Sequence, residues 1–353
     1  MSLINFNNTG RVFTNGIELS KMYTNNILLW EKRDSSYNPN NIEKEILNNA
    51  NDKDYGGKST DLRWINDISY DYTRDRFYVG ATKNDNRGKG IIYITDTKIP
   101  IYSTILYDGN ISCICCGNGI VVGSYSKDLI YSTDGINFTK KGYNFKNVVN
   151  SICYADNKFI AVGKSGYVAT SIDGITWENI DAITDMDLYS VDYGNGRIVA
   201  VGNRQEVIVS DNNGVTWDRI KSLSYEKIHC WYKYVKYNEK YDCFYLTSVR
   251  GSHQPTYLVK IDSDLKVTSL IAVNKADDHF VGYDLLTKGD ITMVFISSAT
   301  RCKEALTYDN KNYNIFTIYH SQKRTLTKGC WGKHRIIMGS NNGYIKYLSP
   351  YIE

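Results

Sequence analysis

From Ser69 onwards the apolar residues fall into short runs bounded by polar turns, and one order of runs keeps returning. A strand-like segment ending in an aromatic residue or cysteine is followed by a tight polar turn, then by an apolar segment that ends in glycine. SYDYTRDRFYVGA from Ser69, ICCGNGIVVGS from Ile114, ICYADNKFIAVGK from Ile152 and VDYGNGRIVAVGN from Val191 carry the pattern in full. Looser copies follow in VKYNEKYDCFYLTS from Val235, VGYDLLTKGDITMVFIS from Val281 and KGCWGKHRIIMGS from Lys328. Within each copy the residues alternate in twos and break at NG, DN and GN turns, which marks strands joined by hairpins. Helical repeats would instead show apolar residues at i, i+3 and i+4 and few glycines.

Gly80, Gly123, Gly163 and Gly202 close the four clearest copies at steps of 43, 40 and 39 residues. That is the length of one four-stranded propeller blade, and seven such units need roughly 280 residues. Residues 62–353 supply them. The expected fold is all-β, a seven-bladed β-propeller of ~40-residue four-stranded blades preceded by a small N-terminal β module.

Residues 1–33 lie outside this period and hold a short repeat of their own, VFTNGIEL at Val12–Leu19 and MYTNNILL at Met22–Leu29, before Trp30. Each half reads as a tight hairpin of the primed type. The run GIELSKMYTNNILLWEK resembles the small β segments at the ends of bacteriophage tail, fibre and baseplate proteins. The resemblance covers this segment alone and implies a β attachment module that docks the protein onto a larger particle. Residues 34–61, rich in Asn, Lys and Asp, read as a polar connector with a short helix expected at NIEKEILNNA (Asn41–Ala50). The last repeat leaves open which strand closes it, and part of the N-terminal region is a candidate.

Three consecutive repeats share a further string, STDGINF (Ser132–Phe138), SIDGITW (Ser171–Trp177) and SDNNGVTW (Ser210–Trp217). TYDNKNY (Thr307–Tyr313) is a worn copy in the sixth repeat, and YITDTK and KIDSDLK keep traces in the first and fifth. These strings resemble the Asp-box, or BNR repeat, of pattern SxDxGxTW, found in sialidases, other glycosidases and many non-enzymatic propellers. Asn212 departs from the pattern, and the first two strings are one residue short. The resemblance implies a hairpin between the third and fourth strands of a blade, at its outer edge. Its structural residues would be Ser132, Asp134, Gly135 and Phe138; Ser171, Asp173, Gly174 and Trp177; and Ser210, Asn212, Gly214 and Trp217. The Ser and Asp oxygens accept from the turn's amides, the glycine takes an angle that a Cβ opposes, and the aromatic plugs between blades. An element that recurs once per blade cannot be a unique active centre.

Composition sharpens this picture only slightly. The 353 residues are 42% hydrophobic and 23% charged, as in ordinary globular proteins, while 30 tyrosines and only 4 prolines lean towards strands. A formal charge of +4 is too mild to indicate a nucleic-acid partner. No apolar run approaches the ~18 residues of a membrane span, and MSLINFNNTG lacks the pattern of a secretory signal. Cys113 and Cys116 make the sole CxxC spacing, without a second pair to complete a zinc site, and Cys113 and Cys115 alternate with Ile114 as buried thiols do. The five histidines show no HxH or HExxH grouping, so neither a metal nor a cofactor is expected. GGKST at Gly56 is no phosphate loop, because Asp52 stands where that motif needs glycine.

Propeller ligands gather on the face built from the loops between second and third strands and from the connections between blades. Those loops offer a basic rim of Arg87, Lys127, Lys164, Arg204, Arg250 and Arg301, with Asn341 in the last. Arg204, Arg250 and Arg301 fall on consecutive blades, a spacing suited to gripping a carboxylate or phosphate, and His253 shares the loop of Arg250. The connections add His229, Trp231, Tyr232, Asp277, Asp278 and His279, able to stack on or hydrogen-bond a sugar. The arginines invite a sialidase-like glycosidase reading. Against it, the Arg-Ile-Pro motif of that family is missing, no Glu and Tyr pair can be assigned, and adjacent Asp277 and Asp278 would point to opposite faces of a strand.

The expected function is that of a non-enzymatic phage or phage-tail-like-particle protein, of receptor-binding or tail-fibre type, contacting a bacterial surface glycan through the propeller. The alternatives are a structural baseplate or tail component that binds only protein, and a sialidase-like glycosidase. The expected partners are other tail or baseplate proteins through residues 1–33, with no nucleic acid and no membrane insertion, and homo-oligomerisation left open. The expected location is the virion or particle, assembled in the bacterial cytoplasm and released by lysis.

Overall fold

The structure is a computed structural model. It describes five short strands between residues 4 and 31, and residues 62–348 apart from 84–89, 97–104, 108–109, 143, 182, 221–230, 250–255, 273–280, 290, 298–301, 308–312, 319–325, 334–335 and 341–344. Six four-stranded sheets and one three-stranded sheet follow one another from residue 62, each an antiparallel meander in chain order. The first holds Leu62–Asp71, Arg76–Lys83, Gly90–Asp96 and Ile105–Tyr107, and the second Cys113–Gly117, Ile120–Tyr125, Asp128–Ser132 and Thr139–Lys141. The third holds Val149–Ala155, Lys158–Gly163, Val168–Ser171 and Glu178–Ile180, and the fourth Leu188–Gly194, Arg197–Gly202, Val207–Ser210 and Asp218–Arg219. The fifth holds Trp231–Asn238, Cys243–Val249, Tyr257–Ile261 and Val267–Ala272, and the sixth Val281–Lys288, Ile291–Ser297, Cys302–Thr307 and Tyr313–Ile318. The last holds Leu326–Trp331, Ile336–Ser340 and Ile345–Leu348. Among the described residues there is no α-helix; the expected helix at Asn41–Ala50 lies outside them.

The second strands explain why the repeats read as unbroken apolar runs. A strand covered on both faces has no solvent side to pattern. Phe159–Val162 and Ile198–Val201 are fully buried because each sheet packs between two others. Val122, Leu129, Phe159 and Ala169 join the second sheet to the third, and Ile160, Val168, Ile198 and Ile208 join the third to the fourth. Ile65, Val79, Ile337 and Ile345 join the last sheet to the first, and Thr327 Oγ1 donates to the Ile65 carbonyl at 3.3 Å. The core is thus a series of slabs between sheets, with ~1.5–3 kcal/mol from each fully buried aliphatic side chain.

Two of the closing glycines have a clear physical cause. Gly163 and Gly202 are extended, and a Cβ on either would run into the carbonyl oxygen of Val148 or Asp187, in the chain entering the same sheet. In the N-terminal segment Thr14 pairs with Ile17 and Thr24 with Ile27, so two residues separate the strands in each half, as the repeat there predicts.

Candidate functional site

The first strand of every sheet lines a central channel, open to solvent, with a volume of about 360 Å³. An inner strand has one unpaired edge, a liability that must be satisfied by something. Side chains of the preceding sheet satisfy part of it. Asp67 Oδ2 accepts from the Ile114 amide at 2.9 Å and Ser69 Oγ from that of Cys116 at 2.9 Å. Ser151 serves Val191 at 3.3 Å, Ser190 serves Val235 at 3.3 Å, Asp192 serves Tyr237 at 2.8 Å and Asp284 serves Gly329 at 2.9 Å.

Six of the seven inner strands carry a register shift near the end where the chain enters, between Ile65/Asp67, Val149/Ser151, Leu188/Ser190, Tyr232/Tyr234, Gly282/Asp284 and Leu326/Lys328. A bulge re-aims the residues beside it. Here the residues just after it, Asp67, Ser151, Ser190, Tyr234, Asp284 and Lys328, all line the channel.

Charge in the channel is one-sided. Asp192 and Lys236 face it from the fourth and fifth sheets, and Asp284, Lys328 and Asp67 from the sixth, last and first. The second and third sheets contribute Ile114, Cys116, Ser151 and Cys153. Lys236 Nζ lies 3.8 Å from Asp192, whose charge raises the lysine's pKa. Although deep in the molecule, Lys236 keeps 41% of its side-chain surface accessible, because that surface is channel wall. Burial works against the Lys328 charge, but Tyr234, Asp284 and Asp67 outweigh it and raise its pKa; its Nζ sits 4.4 Å from the Tyr234 ring centre. Burial raises the pKa of Asp67, against Lys328 and the Ile114 amide. Burial likewise pushes the Cys330 thiol up to about 12 and raises Cys115, Cys116 and Cys153, which disfavours a thiolate at each of these channel cysteines. Among the described residues no group of three His, Cys, Asp or Glu side chains is placed to hold a metal, and no helix is long and apolar enough to cross a membrane.

Strand connectivity puts the loops between second and third strands, and the connections between sheets, at one mouth of this channel. Trp64 and Trp231 stand near the starts of the inner strands at that end, 43% and 48% exposed. On the same fifth-sheet strand Lys233 places its Nζ 4.0 Å from the centre of the Tyr189 ring, and Tyr189 lines the channel.

Of the residues singled out from sequence, Lys127, Lys164 and Arg204 do lie in loops between second and third strands, with Lys164 and Arg204 exposed. Arg204 holds a left-handed backbone, φ 51°. Tyr232 is a correction: it is 2% exposed and packs in the core between the fourth and fifth sheets, so it presents nothing to the mouth. Arg87, His229, Arg250, His253, Asp277, Asp278, His279, Arg301 and Asn341 lie outside the described residues. Sequence reasoning passed over Trp64, Tyr189, Lys233 and the charged belt. Their one trace was the varying polar position, Cys153, Asp192 and Lys236, inside otherwise constant repeats.

The three turn strings sit between third and fourth strands, at the opposite ends of the sheets. Asp173 Oδ1 accepts from the amides of Ile175 at 2.8 Å and Thr176 at 2.7 Å and from the Ser171 hydroxyl at 3.0 Å. Asp134 makes the same three bonds with Ile136, Asn137 and Ser132. In the fourth sheet Asn212 stands in, accepting from the Thr216 amide at 2.9 Å and the Ser210 hydroxyl at 3.0 Å. The Trp177 and Trp217 indoles donate to the Gly174 and Gly214 carbonyls, each at 3.2 Å. Gly174, at φ +70°, faces Val122 and Ile120 of the preceding sheet, so the turn also seals an inter-sheet slab. Phe138 stacks edge-on with Tyr78 of the first sheet in the same manner.

No protein-family model matches the chain, and a search of curated proteins finds no match. Solved structures do resemble it. YCF48 from Cyanidioschyzon merolae aligns with a TM-score of 0.63 at 12% identity, over 82% of this chain and 96% of that one. YCF48 bound to D1 peptide aligns with a TM-score of 0.63 at 9% identity, over 85% and 95%. Sqt1 of Saccharomyces cerevisiae aligns at 0.55 and 10% identity, over 84% and 97%. These neighbours are propellers of four-stranded sheets. The chain is a β-propeller.

Proposed function

We propose that this propeller is a non-enzymatic recognition protein of a phage or phage-tail-like particle, holding a bacterial surface glycan across the mouth of its channel. The pair of exposed indoles, Trp64 and Trp231, carries the reading. Partly exposed indoles suit the flat faces of sugar rings. The channel carboxylates are engaged with backbone amides of the next sheet, and its thiols are protonated, which supports binding over hydrolysis. We read the seven sheets as seven blades, the turn strings as Asp-boxes and residues 1–33 as the attachment module.

A structural component that binds only protein is the second reading, favoured by the peptide bound to one similar propeller. Retention on intact bacterial cells and on purified wall glycans separates the two. Wild-type protein is expected to be retained, and the Trp64→Ala/Trp231→Ala double variant to be released without a change in Tm. No retention on any wall fraction, together with tight binding to a tail protein, would overturn the glycan reading in favour of the second.

A further inference from the structure

Lys233 and Lys328 are two ammonium groups at the same end of the channel, and neither has a carboxylate within ion-pair distance among the described residues. Lys233 rests on the Tyr189 ring. Lys328 crosses from the last sheet to the Tyr234 ring and hydroxyl, next in sequence to Lys233. The aromatic rings hold both cations in place; Asp284 and Asp67 offset much of the Lys328 charge, whereas Lys233 is opposed only by Asp187. Burial, and then repulsion from Lys328, lower the Lys233 pKa to about 8, against the opposing charge of Asp187. The Lys233 charge is thus disfavoured by its burial and by Lys328, and an anion joining it would relieve both.

Resting on the glycan reading above, we infer that the bound saccharide is acidic, and that its carboxylate or phosphate sits at the channel mouth between Lys233 and Lys328, framed by Tyr189 and Tyr234. The sugar body then extends outwards on the side of Trp231, two residues before Lys233 on the same strand. Asn150 and Ser190 also line the channel, where Asn150 donates to the Leu188 carbonyl and Ser190 accepts from the Val235 amide. Asp67 and Asp284, beside Lys328, limit how deep the anion enters and favour a single charged group at the mouth.

Titration calorimetry on the full chain tests this with uronic-acid and phosphate-bearing oligosaccharides, their carboxyl-reduced or dephosphorylated counterparts, and inorganic phosphate alone. The acidic saccharides are expected to bind at least about tenfold more tightly than the neutral ones, the scale of one lost charge-assisted hydrogen bond. Comparison of the uronate and phosphate series identifies which group the site prefers. Lys233→Met is expected to remove that preference by weakening the acidic saccharides far more than the neutral ones, and Trp231→Ala to weaken both classes alike. Equal binding of acidic and neutral saccharides, or an unchanged preference in Lys233→Met, overturns the anion site while the glycan reading stands. Binding of inorganic phosphate that Lys233→Met abolishes, with no saccharide bound, supports the anion site and sinks the glycan reading instead.

Discussion

Asp67 Oδ2 accepts the Ile114 amide at 2.9 Å, so the first sheet grips the inner strand of the second through one carboxylate. Asp67→Ala would leave that amide without its partner, at about 1–3 kcal/mol. Asp67→Asn keeps an acceptor and discards a buried charge. Burial raises the carboxyl pKa above its ordinary value, so the folded state holds the proton more tightly than the unfolded chain. Stability from this group is therefore full below about pH 4 and is lost as pH rises through the raised folded value. Urea midpoints across pH 3–7 are expected to fall for wild type relative to Asp67→Asn, and a parallel course for the two proteins would contradict the assignment.

Asp173 runs the other way. Burial is the largest single influence and opposes its charge, but the Thr176 and Ile175 amides and the Ser171 hydroxyl together prevail and lower its pKa to about 2. Its contribution is present above about pH 4 and is lost as pH falls towards 2. The residue is exposed, so Asp173→Ala is expected to cost only roughly 1 kcal/mol at pH 7 after screening by solvent. Thermal melts at pH 7 and pH 2.5 should show the gap narrowing in acid. The variant should bind ligands as wild type does, since the turn lies at the far ends of the sheets from the channel mouth.

Two glycines separate crowding from backbone angle. A Cβ at Gly163 meets the Val148 carbonyl oxygen, where the backbone cannot give without shifting the strand beside it. Gly196 has nothing within 4 Å but sits at φ +80°. Gly196→Ala is expected to cost about 1–2 kcal/mol, the strain of a left-handed residue. Gly163→Ala should cost clearly more, upwards of about 3 kcal/mol, through overpacking of the inner end. Guanidinium melts order the two, and equal losses would show that crowding is not what fixes the repeat's closing glycine.

The sheets were legible in sequence because their causes are local. Hairpin turns demand Asn and Gly, strands buried on both faces become unbroken apolar runs such as FIAVG and IVAVG, and Gly163 and Gly202 close their repeats where a carbonyl crowds them. The channel was less legible. Asp67, Asp192, Asp284, Lys236 and Lys328 come from five different sheets and meet only once the ring brings their inner strands together, a relation that no spacing along the chain encodes. Bulges hid them further, since one extra residue such as Asn150 or Lys233 shifts the alternation just where it would have shown which side chains face inward. Tyr232 illustrates the cost: beside an exposed Trp231 it looked like a second stacking residue, yet it is packed against the fourth sheet.

Lys233 brings stability and binding into opposition. Its folded pKa of about 8 lies below that of an exposed lysine, so between about pH 8 and pH 10.4 the unfolded chain holds a proton that the folded one has released. Stability from this residue consequently rises with pH across that window, and at neutral pH its charge costs folding free energy. Lys233→Met removes the charge and keeps a flexible side chain able to lie on the Tyr189 ring. The variant is expected to be more stable than wild type at pH 7, by on the order of 1–3 kcal/mol, with the advantage shrinking as pH approaches 10. Anion binding should move oppositely, since wild-type affinity declines as Lys233 loses its proton above pH 8 while the variant, already without it, shows no such decline. Lys328, Asp187 and Tyr189 face the same group, and of these only Lys328 shares its sign. A Lys233→Met protein less stable than wild type at neutral pH would mean that the Tyr189 contact outweighs the buried charge, and the channel mouth would then be a packing feature.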